Sequence, residues 1–247
     1  MVDVTNTELA GIAKQRTELS SADIEHLQLL LSDWTLIADL AFADLILWLP
    51  TWNEAGFVAA GQIRPATART HIPDDIVGDF VPRGRHAELD RAFLTAEICD
   101  GESENAHDIT QAIPVVRGGN VVAVLGRYSS PSEQSRLESI YARCANVIFE
   151  MLASGEFPRI TQNDQGTGGR GGAPRVGDGL IVLDTKGIVE YASPNAHSAF
   201  RRLGVAIDIE GQVLADLVAR MNKKGVPIND TLSLVVCGQF QATAEAA

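Results

Sequence analysis

The 247-residue chain carries 32 acidic and 20 basic side chains, which gives a formal net charge of −12 at pH 7. This excess of negative charge disfavours nucleic acid and anionic membrane surfaces as partners, because the electrostatic energy of approach is repulsive. Apolar residues make up 45% and charged residues 21% of the sequence, as in an ordinary globular protein with room for two domains.

Cysteine usage and the N-terminal sequence predict a cytoplasmic protein. Cys99, Cys144 and Cys237 are odd in number and widely spaced, which fits a reducing compartment better than a disulfide framework. No basic segment followed by an apolar one occurs near the N-terminus, so no secretory signal is predicted. The most apolar stretch, residues 36–50, is too short to span a bilayer.

The first part of the chain predicts a long helix followed by two strands. Residues 1–19 are polar without periodicity, and we expect them to be disordered. A capping-box pattern at Ser20 opens a helix, in which apolar residues recur at three- and four-residue steps through Ala38. Two short apolar runs, 45–49 and 57–63, then predict strands.

The middle of the chain predicts a hairpin between two helices. Residues 64–108 are the least periodic part and contain one predicted helix, 86–96. The runs 113–116 and 121–125 flank the turn sequence Arg-Gly-Gly-Asn and predict a hairpin. A long helix over 132–152 follows, with apolar residues near heptad spacing.

The last part of the chain predicts a linker and a second hairpin. Residues 156–176 are rich in glycine and almost free of apolar side chains, as expected of a flexible linker. The runs 180–183 and 188–192 predict two strands joined by a tight turn. Ser193 is then predicted to cap a helix, and Pro194 suits the first helical position. The helix is predicted to end at Gly204.

Several segments resemble known sensory domains. The sequence AIPVVRGGNVVAVL at 112–125 resembles the central hairpin of GAF domains, and GLIVLDTKGIVEYASPNA at 179–196 resembles the opening of PAS domains. With 41–48, 62–65 and Thr67, the first part is similar to the divergent GAF-like sensor region of actinobacterial cytosolic sensor histidine kinases. In that family a PAS domain and then a kinase core follow.

The resemblance implies an α+β fold. A GAF-like antiparallel sheet with flanking helices, residues 20–155, would precede a partial PAS-like α/β domain, residues 177–247. Two further helices of the second domain are predicted at 213–218 and 232–236. Only 72 residues remain from Val176, whereas a PAS domain takes about 100. We therefore expect a fragment of a longer kinase, the alternative being a domain that borrows a strand from a partner.

Arginines of the irregular middle stretch are the candidate ligand-binding residues. These arginines are Arg64, Arg69, Arg83 and Arg85, and Trp48 of the predicted strand 45–49 is a further candidate. The GAF resemblance implies that loops covering a ligand pocket lie here, and guanidinium groups would suit an anionic ligand such as a nucleotide phosphate. The alternative interpretation is solvated loop arginines and a core tryptophan. Nothing in the sequence identifies a cofactor or the ligand.

Two other patterns predict no site. Residues 166–171 match the G-x-G-x-x-G pattern by letter, but neither a strand precedes them nor a helix follows, as dinucleotide binding requires. His71, His86, His107 and Cys99 are not at the three- or four-residue spacing that would present two metal ligands on one helix face, so no metal site is predicted.

The function implied by the resemblance is the ligand-sensing and dimerising input region of a two-component sensor histidine kinase. The kinase core, which would pass phosphate from ATP through a histidine to a response regulator, is expected beyond residue 247, and no catalytic residue is predicted within the chain. Heptad-like spacing in both long helices predicts a homodimer, with plain core packing as the alternative.

Two other functions remain open at this point. One is a small-molecule enzyme built on the GAF fold, with Cys99 as a redox or nucleophilic group. The other is a stand-alone GAF–PAS adaptor that acts only through protein contacts.

Overall fold

The computed structural model describes residues 6–101, 108–129, 136–158 and 175–223. The chain divides into two compact units, residues 1–162 and 163–247. Each unit combines helices with antiparallel strands around its own hydrophobic core, so the α+β class predicted from the sequence is confirmed.

A six-stranded antiparallel sheet forms the centre of the first unit, with the strand order β3-β2-β1-β6-β5-β4. The strands are β1 (Asp44–Pro50), β2 (Gly56–Ile63), β3 (Phe80–Pro82), β4 (Cys99–Asp100), β5 (Gln111–Arg117) and β6 (Asn120–Tyr128). The helices in the described part of this unit are α1 (Asn6–Arg16), α2 (Ser21–Ala41), α3 (Ala87–Thr95) and α4 (Arg136–Ser154).

The prediction of a disordered N-terminus is wrong for residues 6–16, which form α1. This helix packs against α2 and β2, and Leu9 and Ala13, one turn apart, are completely buried there. The sequence indicates this helix only weakly, because the segment is mostly polar and buries few apolar side chains. Tertiary packing, rather than a strong apolar stripe, stabilises the helix.

The capping box that the sequence predicts for α2 is present. The Ser20 hydroxyl accepts a hydrogen bond from the Asp23 backbone N–H at 3.2 Å, and the Asp23 carboxylate accepts one from the Ser20 N–H at 3.0 Å. Asp23 also forms an ion pair of 2.9 Å with Arg117 at the end of β5. These contacts tie the start of α2 to the central hairpin.

The two faces of the sheet are covered by different helices. A Cβ atom added at Gly61 of β2 would lie 2.7 Å from the ring of Trp34, so this face packs against α2. Helix α4 packs on α2 and on β5. Because side chains alternate along a strand, Trp48 and Val124 point to the opposite face, where α3 packs. The two long helices thus share one side of the sheet, as predicted.

The central hairpin and the helix after it agree with the sequence. Gly118 and Gly119 have φ of +59° and +84°, the backbone that a two-residue turn between β5 and β6 requires. Helix α4 covers most of the predicted helix 132–152. Its predicted cap at 130–133 lies outside the described residues, as does most of the predicted linker 156–176.

The described part of the second unit contains the predicted hairpin and two of the predicted helices. Its elements are a 3₁₀ turn (Val176–Asp178), β7 (Ile181–Leu183), β8 (Val189–Ala192), α5 (Pro194–Arg202) and α6 (Leu214–Lys223). The Ser193 hydroxyl caps α5 by accepting from the Ala196 N–H at 3.3 Å, and it also accepts from the Leu180 N–H at 2.9 Å. Helix α6 corresponds to the predicted helix 213–218, whereas 232–236 lies outside the described residues.

Candidate ligand-binding region

The face of the central sheet that carries Trp48 is covered by α3 and by the irregular stretch after β2. Its core consists of buried apolar side chains, namely Ile46, Trp48, Phe57, Ala59, Leu89, Ala92, Ile109, Ala112, Val124 and Tyr128. Four partly buried side chains pack against this cluster, namely Ile72 and Ile76 of the irregular stretch, Val81 of β3 and Phe93 of α3. Trp48, one of the predicted ligand-binding residues, therefore lies in a cluster of buried side chains.

Trp48 is a core residue of this cluster and is only 2% exposed. Its indole N–H is buried and has no hydrogen-bond partner among the described residues. Burial raises the pKa of the neighbouring Tyr128 phenol, and the nearby Trp48 N–H partly offsets this rise. In this arrangement Trp48 offers no open ring face for a ligand to stack on.

The loop after β2 is anchored by the buried carboxylate of Asp44, at the start of β1. Asp44 is 0% exposed, and its oxygens accept hydrogen bonds from the Thr70 hydroxyl at 2.9 Å and the Ile72 N–H at 3.0 Å. The His71 N–H also donates to it. The loop amides that could have bound an external anion are thus already paired with a carboxylate of the chain itself.

Gln62 and Asp39 anchor the same loop at two further points. The Gln62 amide donates to the carbonyls of Ile72 at 3.1 Å and Asp74 at 3.0 Å, and its oxygen accepts from the Ile76 N–H at 3.0 Å. The Asp39 carboxylate accepts from the Ala66 N–H at 2.7 Å. Both side chains are buried, where polar atoms need hydrogen-bond partners, and these contacts supply them.

These anchoring residues were not identified as functional from the sequence. In the sequence, Asp39 and Asp44 only interrupt the apolar stretch 36–50. The usable signal was the cost of burying a carboxylate without partners, which implies that each aspartate in such a stretch must meet donors from elsewhere in the chain.

Arg64 and Arg83 are held by contacts within the protein. Arg64 donates to the carbonyls of residues 72, 73 and 74 at 3.2, 2.9 and 2.9 Å. Arg83 pairs with Asp90 of α3 at 3.2 Å, and its guanidinium lies 5.2 and 5.0 Å from the ring centres of Phe57 and Phe93. The two arginines share no partner, because one orders the loop after β2 and the other fastens α3.

Arg69 and Arg85 differ from this pair, since both are exposed. Neither guanidinium forms a hydrogen bond or ion pair within the described parts of the chain. The structure therefore separates the four predicted arginines into two that hold a loop and a helix in place and two with available donors.

The cysteines and histidines do not form a site in the part of the chain that the structure describes. Cys99 lies half-buried on β4, with its thiol 3.5 Å from the Glu97 carbonyl. Burial raises the pKa of the Cys144 thiol on α4. The described residues contain no cluster of three metal-binding side chains, and His107 and Cys237 lie outside them.

No described helix has the length and apolar character needed to cross a bilayer.

A junction between the end of α2 and the side of α4 completes the region. Phe42 follows α2 in the left-handed conformation, with φ of 50°, and its ring stacks on Tyr141 of α4 at 6.1 Å. Arg127 of β6 donates to the Ala41 carbonyl at 3.0 Å and lies 5.9 Å from the ring centre of Phe149. Burial lowers the pKa of Arg127, so its charge is held in a partly apolar setting.

Comparison with known proteins gives three consistent results. Residues 9–145 match the family model described as the GAF domain of histidine kinase PdtaS. The sensor histidine kinase PdtaS of Mycolicibacterium smegmatis is 33% identical over 216 residues, and that of Mycobacterium tuberculosis is 34% identical over 219 residues. These matches cover 83% and 84% of this chain but only 42% and 43% of the relatives, so the chain spans less than half their length.

The third result is a solved structure described as the sensor region of a sensor histidine kinase. It superposes with a TM-score of 0.70 at 31% sequence identity. The match covers 88% of this chain and 79% of that structure.

Proposed function

Because the chain belongs to the PdtaS GAF-domain family of histidine kinases, we propose that it is the sensing input region of a two-component sensor histidine kinase. The observation that carries the proposal is the similarity to a histidine kinase sensor region, which extends over 88% of the chain and so into both compact units. The α+β fold with a central antiparallel sheet agrees with this role.

The chemistry of the whole protein would lie in the part that the chain does not span. The relatives are sensor histidine kinases more than twice as long as their match to this chain. A kinase core would transfer a phosphoryl group from ATP to a histidine and then to an aspartate of a response regulator. In this proposal residues 1–247 control that transfer without taking part in it.

We assign the second unit to the PAS class. Support comes from its order of elements, which is a hairpin, a helix capped by Ser193 and then α6. A two-stranded sheet is marginal alone, so further strands from outside the described residues would complete it. We also propose a cytoplasmic location, because the spacing of the cysteines fits a reducing compartment.

A homodimer is the proposed assembly. On α4 the side chains of Ile140, Val147 and Met151 remain partly exposed although they are apolar. With Cys144 they recur at steps of four, three and four residues, the spacing of a coiled-coil seam. A second copy of α4 would cover this stripe.

A chimeric kinase tests the proposed function. Residues 1–247 would replace the matching sensor region of the M. smegmatis PdtaS, and autophosphorylation from labelled ATP would be compared with that of the kinase part alone. We expect the chimera to differ from the isolated kinase part in rate, and residues 1–247 alone to hydrolyse no ATP. Equal rates for the chimera and the isolated kinase part would contradict the proposal.

A further inference from the structure

A groove of about 470 Å³ lies in the second unit, between α5 and the loop that follows it. One wall is a single stripe of α5, formed by Pro194, His197, Ser198 and Arg201, and the other includes Ile207 and Asp208. We call this feature the α5 groove. Its volume falls within the range of small-molecule sites in proteins.

The first wall offers an unpaired cation. The Arg201 guanidinium is exposed, and no carboxylate of the described residues lies within ion-pair distance of it. His197, one turn earlier on the same stripe, has no side-chain hydrogen bond within the described ranges. A free guanidinium in a protein of net charge −12 suits a carboxylate, which it can bind through two parallel hydrogen bonds.

The second wall offers an acceptor of the opposite charge. Asp208 is exposed and accepts one hydrogen bond, from the Glu210 N–H at 3.3 Å, while no cation of the described chain pairs with it. Arg201 and Asp208 line the same groove, so a simple anion on Arg201 would share it with a carboxylate, and a simple cation on Asp208 would share it with a guanidinium. A ligand that carries both charges satisfies both walls.

The groove also contains apolar surface. The side chain of Ile207 is 49% exposed, and Pro194, which also lines the groove, is exposed as well. An apolar ligand side chain packed against these surfaces would remove them from water, which favours binding.

We propose that the α5 groove binds a zwitterionic α-amino acid with an apolar side chain, whose carboxylate contacts Arg201 and whose ammonium contacts Asp208. The claim that this ligand is the signal of a sensing region rests on the function proposed above. The binding itself is a property of the 247-residue chain and is measured on it alone.

Calorimetric titration with L-leucine and two analogues tests the charge requirement. One analogue, 4-methylpentanoate, lacks the ammonium, and the other, 3-methylbutylamine, lacks the carboxylate. We expect L-leucine to bind and each analogue to bind at least about tenfold more weakly, because each leaves one charged wall without its partner. No binding of L-leucine or L-phenylalanine at millimolar concentration, or equal binding of an analogue, would overturn the proposal.

Matched variants locate the site. Arg201→Gln and Asp208→Asn should each weaken L-leucine binding at least about tenfold. Arg202→Gln removes the same charge from the adjacent exposed residue, which does not line the groove, and should leave binding unchanged. An equal loss in Arg202→Gln would mean that net charge alone is responsible. Circular dichroism verifies folding of all three variants, which alter exposed side chains.

The outcomes separate this proposal from the proposed function. Binding that depends on Arg201 establishes the groove even if the chimeric kinase shows no control by residues 1–247. A chimera that is regulated while the chain binds neither amino acid leaves the input function standing and removes the groove as its ligand site.

Discussion

At the scale of single residues, the buried carboxylate of Asp44 determines the conformation of the loop after β2. Asp44→Ala would leave the amides of His71 and Ile72 without an acceptor, and we expect the free energy of unfolding to fall by about 2–3 kcal/mol. Urea denaturation measures the change. The exposed Asp79 of the same loop, whose side chain has no partner within the described residues, serves as control, and Asp79→Ala should stay within about 0.5 kcal/mol of the parent. Equal losses in both variants would contradict the anchoring role.

His26 gives the first unit a pH-dependent stability. Burial lowers the pKa of this histidine below 6.5, the Arg117 guanidinium lowers it further, and Asp23 opposes the change. The unfolded chain therefore takes up a proton at higher pH than the folded chain, so the free energy of unfolding falls as the pH drops below 6.5.

The slope for one proton is at most about 1.4 kcal/mol per pH unit, and it is smaller here because the ring is partly solvated. Urea denaturation over the pH range measures this slope. His26→Gln should reduce the slope of the free energy of unfolding against pH below pH 6.5. An unchanged slope in that variant would show that another group is responsible.

The exposed arginines can be tested separately from those that hold loops. If an anionic ligand binds to the first unit, Arg69 and Arg85 are the candidates whose guanidinium groups have no partner in the described chain. The double variant Arg69→Gln, Arg85→Gln should abolish the thermal shift produced by a nucleotide, a shift that corresponds to about 2.7 kcal/mol at 100 times the dissociation constant. Arg91→Gln, which changes another exposed arginine, should keep it. A shift that survives the double variant would exclude this pair.

The sequence revealed the types of these residues better than their roles. A cluster of arginines was visible, but whether Arg83 meets a ligand or the rings of Phe57 and Phe93 depends on contacts between distant parts of the chain. The same holds for Asp44, whose partners lie 26 to 28 residues away. Long-range pairing of this kind leaves no periodic pattern in a single sequence.

At the scale of elements, the close packing of α2 on the sheet depends on Gly61. A methyl group there would lie 2.7 Å from Trp34, which is 1% exposed and has little room to move. We expect Gly61→Ala to lower the free energy of unfolding by about 1–3 kcal/mol. Gly11→Ala is the matched control, because nothing lies within 4 Å of its added methyl group and alanine favours α1 by about 0.5–1 kcal/mol. Denaturation of both variants measures the difference, and a stable Gly61→Ala protein would contradict the packing argument.

Elements with a local sequence pattern were predicted correctly, whereas the two shortest strands, which carry no such pattern, were not. Both hairpins and α2 carry apolar periodicity and turn or cap residues, so the sequence alone located them. The strands β3 and β4 are three and two residues long and exist because they pair with β2 and β5. Strands this short contain too few residues to show alternation.

At the scale of the whole molecule, the stripe on α4 predicts self-association. Val147→Asp would place a carboxylate in the proposed dimer seam, and we expect the dimer dissociation constant to rise by about 100-fold or more. Light scattering after size-exclusion chromatography measures the mass. Asn146→Asp adds the same charge at the adjacent exposed position and should leave the dimer intact. A parent chain that is monomeric at all concentrations would refute the seam.

The junction between α2 and α4 limits how a signal could leave the first unit. Helix α4 is fastened through Tyr141 and Phe149, which are eight residues and so about 12 Å apart along its axis. A piston-like shift of α4 by one turn would separate both rings from Phe42 and Arg127 at once, whereas a small rotation or tilt about that line would keep them in contact. Motion transmitted from this sheet to α4 is therefore expected to be angular rather than axial.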